Sequence, residues 1–143
     1  LMRRLWEPGW TEFDGEFYQT PRLEMTPTPP PIPVYSGGLS DIALRRAARL
    51  DGWIGDLITL DQAIERVEKV RALRAEKGLG MDGYTVVTPL ADAFLPEHYD
   101  RAAQAGIDGI ITMPWVFYCG PDAPVSEKID GMRRFRKDLG LDD

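Results

Sequence analysis

Residues 31–55 read PIPVYSGGLSDIALRRAARLDGWIG, and the order of the parts decides the fold. Residues 32–36 are a short β-rich run, Gly37-Gly38 breaks it, and Ser40 stands where a helix N-cap belongs. The helix that follows runs to about Leu50, with Ala43, Leu44, Ala47, Ala48 and Leu50 on one apolar face and Arg45, Arg46 and Arg49 turned away. Residues 52–55 then form a short apolar run of the kind buried in a sheet. Strand, tight glycine turn, capped helix and strand make a βα unit, which demands a parallel partner reached by a right-handed crossover.

The same alternation continues downstream. Residues 61–77 carry the clearest helix, with Leu60, Ile64, Val67, Val70 and Leu73 along one side, a Glu65–Lys69 pair one turn apart and Gly78 as the stop. Residues 84–89 (YTVVTP) predict a third strand, 97–105 a third helix halted by Gly106, and 107–113 a fourth strand ending at Pro114. Residues 126–139 predict a last amphipathic helix that buries Val125, Ile129, Met132, Phe135 and Leu139, with Arg133, Arg134, Arg136 and Lys137 toward its negative end. Two architectures satisfy four parallel βα units: an open doubly wound sheet, or half of an eightfold (β/α) barrel.

Upstream, residues 1–6 (LMRRLW) read as the last turns of a helix begun elsewhere, so a longer parent chain is expected. Residues 11–13 and 16–18 flank Asp14-Gly15 as a predicted hairpin, and the proline-dense 21–33 stretch reads as an extended connector. The organisation expected is one domain, residues 1–143, in which 1–31 supply helix end, hairpin and connector and 32–143 supply the βα units.

Composition bounds the partners. Hydrophobic residues are 43% and charged residues 28% of the 143, and 23 acidic against 17 basic side chains leave a net charge of −6. That balance argues against nucleic acid, no run is long enough to span a membrane, and a cytoplasmic protein is expected. Cys119 is the single cysteine and His98 the single histidine, so an internal disulfide and two-histidine metal sites are excluded.

The Gly37-Gly38 corner is the main candidate site. Glycines let the backbone approach a ligand, the first N–H groups of the next helix lack partners, and Ser40 adds a hydroxyl, so a phosphate is the natural guest. A plain tight turn accounts for the same pattern. No dinucleotide fingerprint or P-loop lysine is present.

The block PIPVYSGGLS, the ALRRAAR helix and the DGWI strand resemble the bacterial luciferase-like family of flavin- and deazaflavin-dependent oxidoreductases and monooxygenases. LMRRLW, FDGEFYQ and IDGIITMPW are similar to that family's segments in the same order. The resemblance implies the C-terminal half of a TIM (β/α)8 barrel, with FMN or coenzyme F420 as cofactor and a small-molecule substrate. It further implies that Ser36, Gly37, Gly38, Ser40, Gly52 and Trp53 lie at the cofactor. It names no catalytic residue and no metal. Leu50-Asp51-Gly52 is one residue shorter than the family's usual turn, and Ser36 replaces a commoner hydrophobic residue. A fragment of this kind is expected to pair with a missing half-barrel or with its own copy. The alternative is a half-barrel without catalysis that homodimerises or binds a phosphorylated ligand.

The remaining singular residues carry weaker signals. His98 reads as a surface histidine, Asp92 and Asp108 as isolated carboxylates, and Cys119 has nothing nearby to activate it. Residues 115–118 (WVFY) are open to two readings, a pocket wall or a contact at the barrel bottom or between subunits.

Overall fold

The computed structural model describes residues 1–141 and divides into two compact units, Leu1–Pro33 and Val34–Asp143. The first holds the one-turn helix α1 (Met2–Leu5) and the antiparallel strands β1 (Thr11–Asp14) and β2 (Gln19–Leu23). The second strand begins later than the expected 16–18. A two-residue turn at Asp14-Gly15 needs positive φ, which Gly15 does not adopt. Instead the Gly15 N–H donates to the Tyr18 carbonyl at 2.9 Å and closes a longer loop that leaves Phe17 and Tyr18 exposed.

The second unit is a four-stranded parallel sheet of β3 (Tyr35–Gly37), β4 (Gly52–Ile54), β5 (Thr85–Pro89) and β6 (Gly109–Ile111), in that spatial order. Every strand lies beside its neighbour in sequence, with no reversal of strand order. A doubly wound sheet turns on such a reversal, so the order selects consecutive units of a barrel.

Helices α2 (Asp41–Ala47), α3 (Leu60–Ala75) and α4 (Pro96–Ala105) are the crossovers. Ser40 caps α2 by accepting from the Ala43 N–H, and Thr59 caps α3 in a box with Gln62. The α3 helix starts before residue 61 because this box fixes its first turn. Its inward face is Leu60, Ala63, Val67, Val70 and Arg74, while Ile64 and Leu73 are only half-buried at its rim. The expected Glu65–Lys69 pair does not form. Lys69 reaches Asp41 on α2, and Glu65 bonds its neighbour Arg66.

Register sorts the side chains by face. Ser36, Trp53 and Val86 line up across β3, β4 and β5, and Thr88 faces Ile110 on β6. The first three and Thr88 are buried, and the core they join contains Leu44, Ala47, Val67, Val70 and Ala102. The opposite sheet face carries Ile54, Val87 and Ile111, and Ile111 is 51% exposed. Two-sided burial explains why parallel strands are apolar throughout, and here one side is open.

After β6 a 3-10 turn (Pro114–Phe117) leads to α5 (Val125–Asp138). The stripe expected to be buried on α5 is largely exposed: Val125 is 73% accessible, and Ile129 and Met132 are also exposed. The helix packs through Gly131, outside that stripe, and through Phe135 toward the stripe's far end. A Cβ at Gly131 would stand 3.0 Å from the Trp115 backbone, and Phe135 stacks on Phe117 with ring centres 5.6 Å apart. No helix among the described residues is long and apolar enough to cross a membrane.

Candidate functional site

The ends of β3–β6 and the loops after them form one edge of the sheet, the edge at which parallel α/β folds place ligands. Gly37 closes the β3 ladder opposite Ile54, and Gly38 follows with φ +107°, a backbone state open to glycine and strained for any other residue. A Cβ on Gly38 would sit 3.0 Å from the Ala43 Cβ, so the corner depends on the missing side chain. Gly37 is less crowded, its nearest atom being the Ile54 carbonyl oxygen at 3.8 Å.

Trp53 sets the orientation of this corner. Its ring is fully buried, and its indole N–H donates to the Gly38 carbonyl at 2.9 Å. In a trans peptide the carbonyl and the following N–H point in opposite directions. With the Gly38 carbonyl held toward the core, the Leu39 N–H is aimed away from it. Ser40 lies one residue on, accepting from Ala43 at 3.3 Å and keeping its hydroxyl proton to donate. Asp41 brings a negative charge to the same turn, and Lys69 answers it. The hydrogen bond from the ammonium, then its charge, holds the Asp41 carboxyl below the usual range.

Of the residues expected at a cofactor, Gly37, Gly38 and Ser40 therefore come together on one accessible turn. Ser36 is buried beneath it in line with Trp53, which acts from the core. Gly52 lies at the other end of the sheet, opposite Tyr35 at the start of β3. It is wedged there, since a Cβ would meet the Thr85 carbonyl at 2.5 Å and the Tyr35 ring at 2.6 Å.

Further along the edge, three loops enclose a second feature. Leu57 after β4, Leu90 after β5, and Met113, Val116 and Phe117 after β6 line an apolar cavity of about 390 Å³. Residues 115–118 thus stand at the carboxyl ends of the strands, which excludes the barrel-bottom reading. Behind them Phe94 meets Phe117 edge-on at 5.5 Å, and Tyr99 meets Phe135 at 6.3 Å. Burial raises the Tyr99 phenol above its ordinary value, and the hydroxyl donates to the Ala93 carbonyl.

The singular polar residues have structural partners. His98 Nδ1 accepts from the Phe94 and Leu95 N–H groups at 3.1 and 3.4 Å, closing the start of α4. Asp92 and Asp108, expected as isolated carboxylates, hold backbone: they accept from the Leu60 and Val86 N–H groups at 2.8 and 2.7 Å. Asp51 does the same for Val34 at 2.8 Å. The signal for the last pair was in the chain, because Asp-Gly opens both LDGWI and IDGII. The Cys119 thiol donates to the Trp115 carbonyl at 3.3 Å.

Comparison with known proteins agrees with this architecture. A family model described as luciferase-like monooxygenase matches residues 1–111. An uncharacterized protein of Mycobacterium tuberculosis is 36% identical over 97% of this chain and 49% of its own length, and a Mycobacterium bovis protein matches equally. The pyrimidine monooxygenase RutA of Allorhizobium ampelinum is 32% identical over 64% of this chain and 27% of its own. The chain spans about half the length of the mycobacterial relatives it matches.

Proposed function

Because the chain belongs to the luciferase-like monooxygenase family, we propose that it holds the phosphate of FMN or coenzyme F420 at the Gly37–Ser40 turn, as part of a cytoplasmic oxidoreductase. The observation that carries this reading is the bond from the buried Trp53 indole to the Gly38 carbonyl, which turns the next N–H outward beside two glycines. Such a turn offers an anion fixed backbone donors at no cost in reorganisation. Gly37 and Gly38 give it access, Leu39 contributes its N–H, Ser40 its hydroxyl, and Trp53 is a positioning residue. Lys69 neutralises Asp41 and so offsets a charge in this turn that would repel a phosphate.

The bound cofactor supplies the hydride or oxygen chemistry, and this chain's part is to bind, orient and shield it. Activity toward a substrate requires the rest of a barrel. A second reading, assembly with another half-barrel or a second copy, is favoured by Ile54 and Ile111, which are exposed on one face of the sheet. A native mass above that of one chain supports it, and a strict monomer at all concentrations refutes it.

Titration of the purified chain with FMN, and separately with F420, tests the cofactor site. Trp53→Phe keeps the ring but removes the donor, and an affinity loss of about three- to tenfold is expected from one hydrogen bond. Gly38→Ala is expected to lose at least about fivefold, since its φ costs about 1 kcal/mol or more for alanine. Wild-type affinity in both folded variants, or no binding of either cofactor to the parent, refutes the assignment.

A further inference from the structure

Between the start of α4 and the last turn of α5 lies another cavity, of about 260 Å³, lined by Phe94, Phe117, Tyr118, Phe135, Asp138 and Leu139. Four of these six residues are aromatic and one is a carboxylate. Helical spacing brings Phe135, Asp138 and Leu139 to one side of the end of α5. Phe117 lies almost parallel to Phe135, at 10° and 5.6 Å, and Phe94 stands across Phe117 at 84°. The rings therefore form two walls near right angles. The Tyr118 hydroxyl donates to the Asp138 carboxylate at 2.7 Å and ties the turn after β6 to the helix. Among the described residues no lysine or arginine forms an ion pair with Asp138. Arg134 lies 4.7 Å over the Tyr118 ring and is not part of the lining. Five of the six lining residues fall beyond residue 111, where the family match ends, so the cavity belongs to this chain's own last segment.

We propose that this aromatic corner binds a quaternary ammonium head group, the trimethylammonium of a choline-like molecule. Ring faces attract a cation through their quadrupole, and a carboxylate adds Coulomb attraction where water is partly displaced. The supply of acceptors selects the kind of cation. A primary ammonium brings three N–H donors and a guanidinium five, whereas the lining side chains offer one carboxylate with the Tyr118 oxygen beside it. Donors left over would lose their water without replacement. A quaternary ammonium has no N–H to satisfy, and its methyl groups suit Phe117, Phe135 and Leu139. Asp138 repels an anion, and a neutral hydrocarbon gains contact alone. The volume, just under the ~300–1,000 Å³ common for drug-sized ligands, matches a head group.

The site stands apart from the glycine corner and does not rest on the cofactor reading. Arg134 is the charge that works against it, and Asp138 offsets that charge from the cavity side.

The test titrates the 143-residue chain with choline and with its uncharged isostere 3,3-dimethyl-1-butanol, read by amide chemical shifts. Saturable choline binding is expected, with the largest shifts at Phe117, Tyr118 and Asp138. The isostere should bind at least about fivefold more weakly, since it lacks the cation–π attraction. Ethanolamine, with N–H groups in place of the methyls, should also bind more weakly than choline. Asp138→Asn keeps an acceptor for Tyr118 but removes the charge; choline should weaken about two- to fivefold and the isostere not at all. Phe135→Leu keeps an apolar side chain without the ring face and should weaken choline more than the isostere, with Phe117→Leu in its place if that variant fails to fold. Asp130→Asn removes the same charge from α5 outside the cavity and should leave choline binding unchanged. Phosphatidylcholine vesicles separate a free ligand from a lipid head group. Choline shifts without co-sedimentation are expected and assign a free ligand, and co-sedimentation that Asp138→Asn abolishes assigns the same head group to lipid. An isostere as tight as choline, equal loss in Asp130→Asn, or no saturable choline binding overturns the inference.

Discussion

The two ends of the parallel sheet are built on opposite principles. Where the strands begin, space is filled and polar groups find partners, the Tyr84 hydroxyl excepted. Asp51 and Asp108 accept strand N–H groups of the neighbouring strand, and their own N–H groups donate back to the Val34 and Val86 carbonyls. Arg74, only 8% exposed, donates to the carbonyls of Gly80, Ala48 and Leu50 and lies 4.2 Å over the Tyr84 ring. Where the strands end, Gly37 and Gly38 are exposed, and Ile111, Met113 and Val116 show apolar surface to water. A closed end secures the fold, and the open end is the one at which parallel α/β folds place their ligands.

Paired glycine substitutions test the contrast most sharply. Gly52→Ala drives a methyl into the Thr85 carbonyl and the Tyr35 ring, neither of which can retreat from the sheet. A loss of about 3 kcal/mol or more is expected, read as a lower denaturation midpoint. Gly37→Ala, at the open end of the adjacent strand, meets nothing closer than 3.8 Å, and its stability should change by no more than about 0.5 kcal/mol. Its cofactor affinity should fall severalfold. Equal stability losses at the two glycines would erase the distinction between the ends.

Arg74→Met comes next. It keeps most of the stem's bulk but leaves three carbonyls without their donor, and about 2–3 kcal/mol of destabilisation is expected by urea unfolding. FMN affinity in the fraction still folded should be unchanged. Smaller again is Asp108→Ala, which strips one acceptor from the Val86 N–H beside a ladder that otherwise persists, about 1–2 kcal/mol. Amide exchange should speed at Val86 more than at Gly38 in this variant.

How far these ends were legible in the chain depends on the range of the interactions. The βα alternation and the Ser40 cap are local, and residues 31–55 carried both, although the expected strand 32–36 forms as Tyr35–Gly37 and the helix expected to run to about Leu50 ends at Ala47. The glycine corner was visible as a pair of residues, but its orientation was not, because the Trp53 indole that holds it comes from the next strand. Trp53 itself was expected at a ligand, and a large aromatic beside a site gives no local sign that it works from the core. The α5 stripe shows the reverse failure: amphipathic spacing at Val125, Ile129 and Met132 is real, yet spacing says nothing about whether a partner surface is present. Arg74 was hidden for a related reason. It falls on the inward face of α3 where Leu73 was expected, and an arginine is buried only when distant carbonyls collect around it.

The smallest effect at neutral pH isolates one atom at the closed end. The Tyr84 hydroxyl is buried and has no hydrogen-bond partner among the described residues, although the residue is just 6% exposed. Burial pushes its pKa up to about 12, against the opposing pull of the Arg74 charge. The folded protein therefore holds this proton more tightly than the unfolded chain, which releases it near 10. Between these values the unfolded state binds fewer protons, so stability falls as pH rises, by up to about 2 kcal/mol across the window. Below pH 10 the contribution is fully present and constant. Tyr84→Phe removes both the titration and the unpaired hydroxyl, so the variant should match or slightly exceed the parent in stability at pH 7. From pH 10 to 12 its unfolding free energy should decline less steeply than the parent's, measured by urea titration at fixed pH steps. Parallel decline in the two proteins would mean that water reaches the hydroxyl, and that the closed end is less closed than its packing implies.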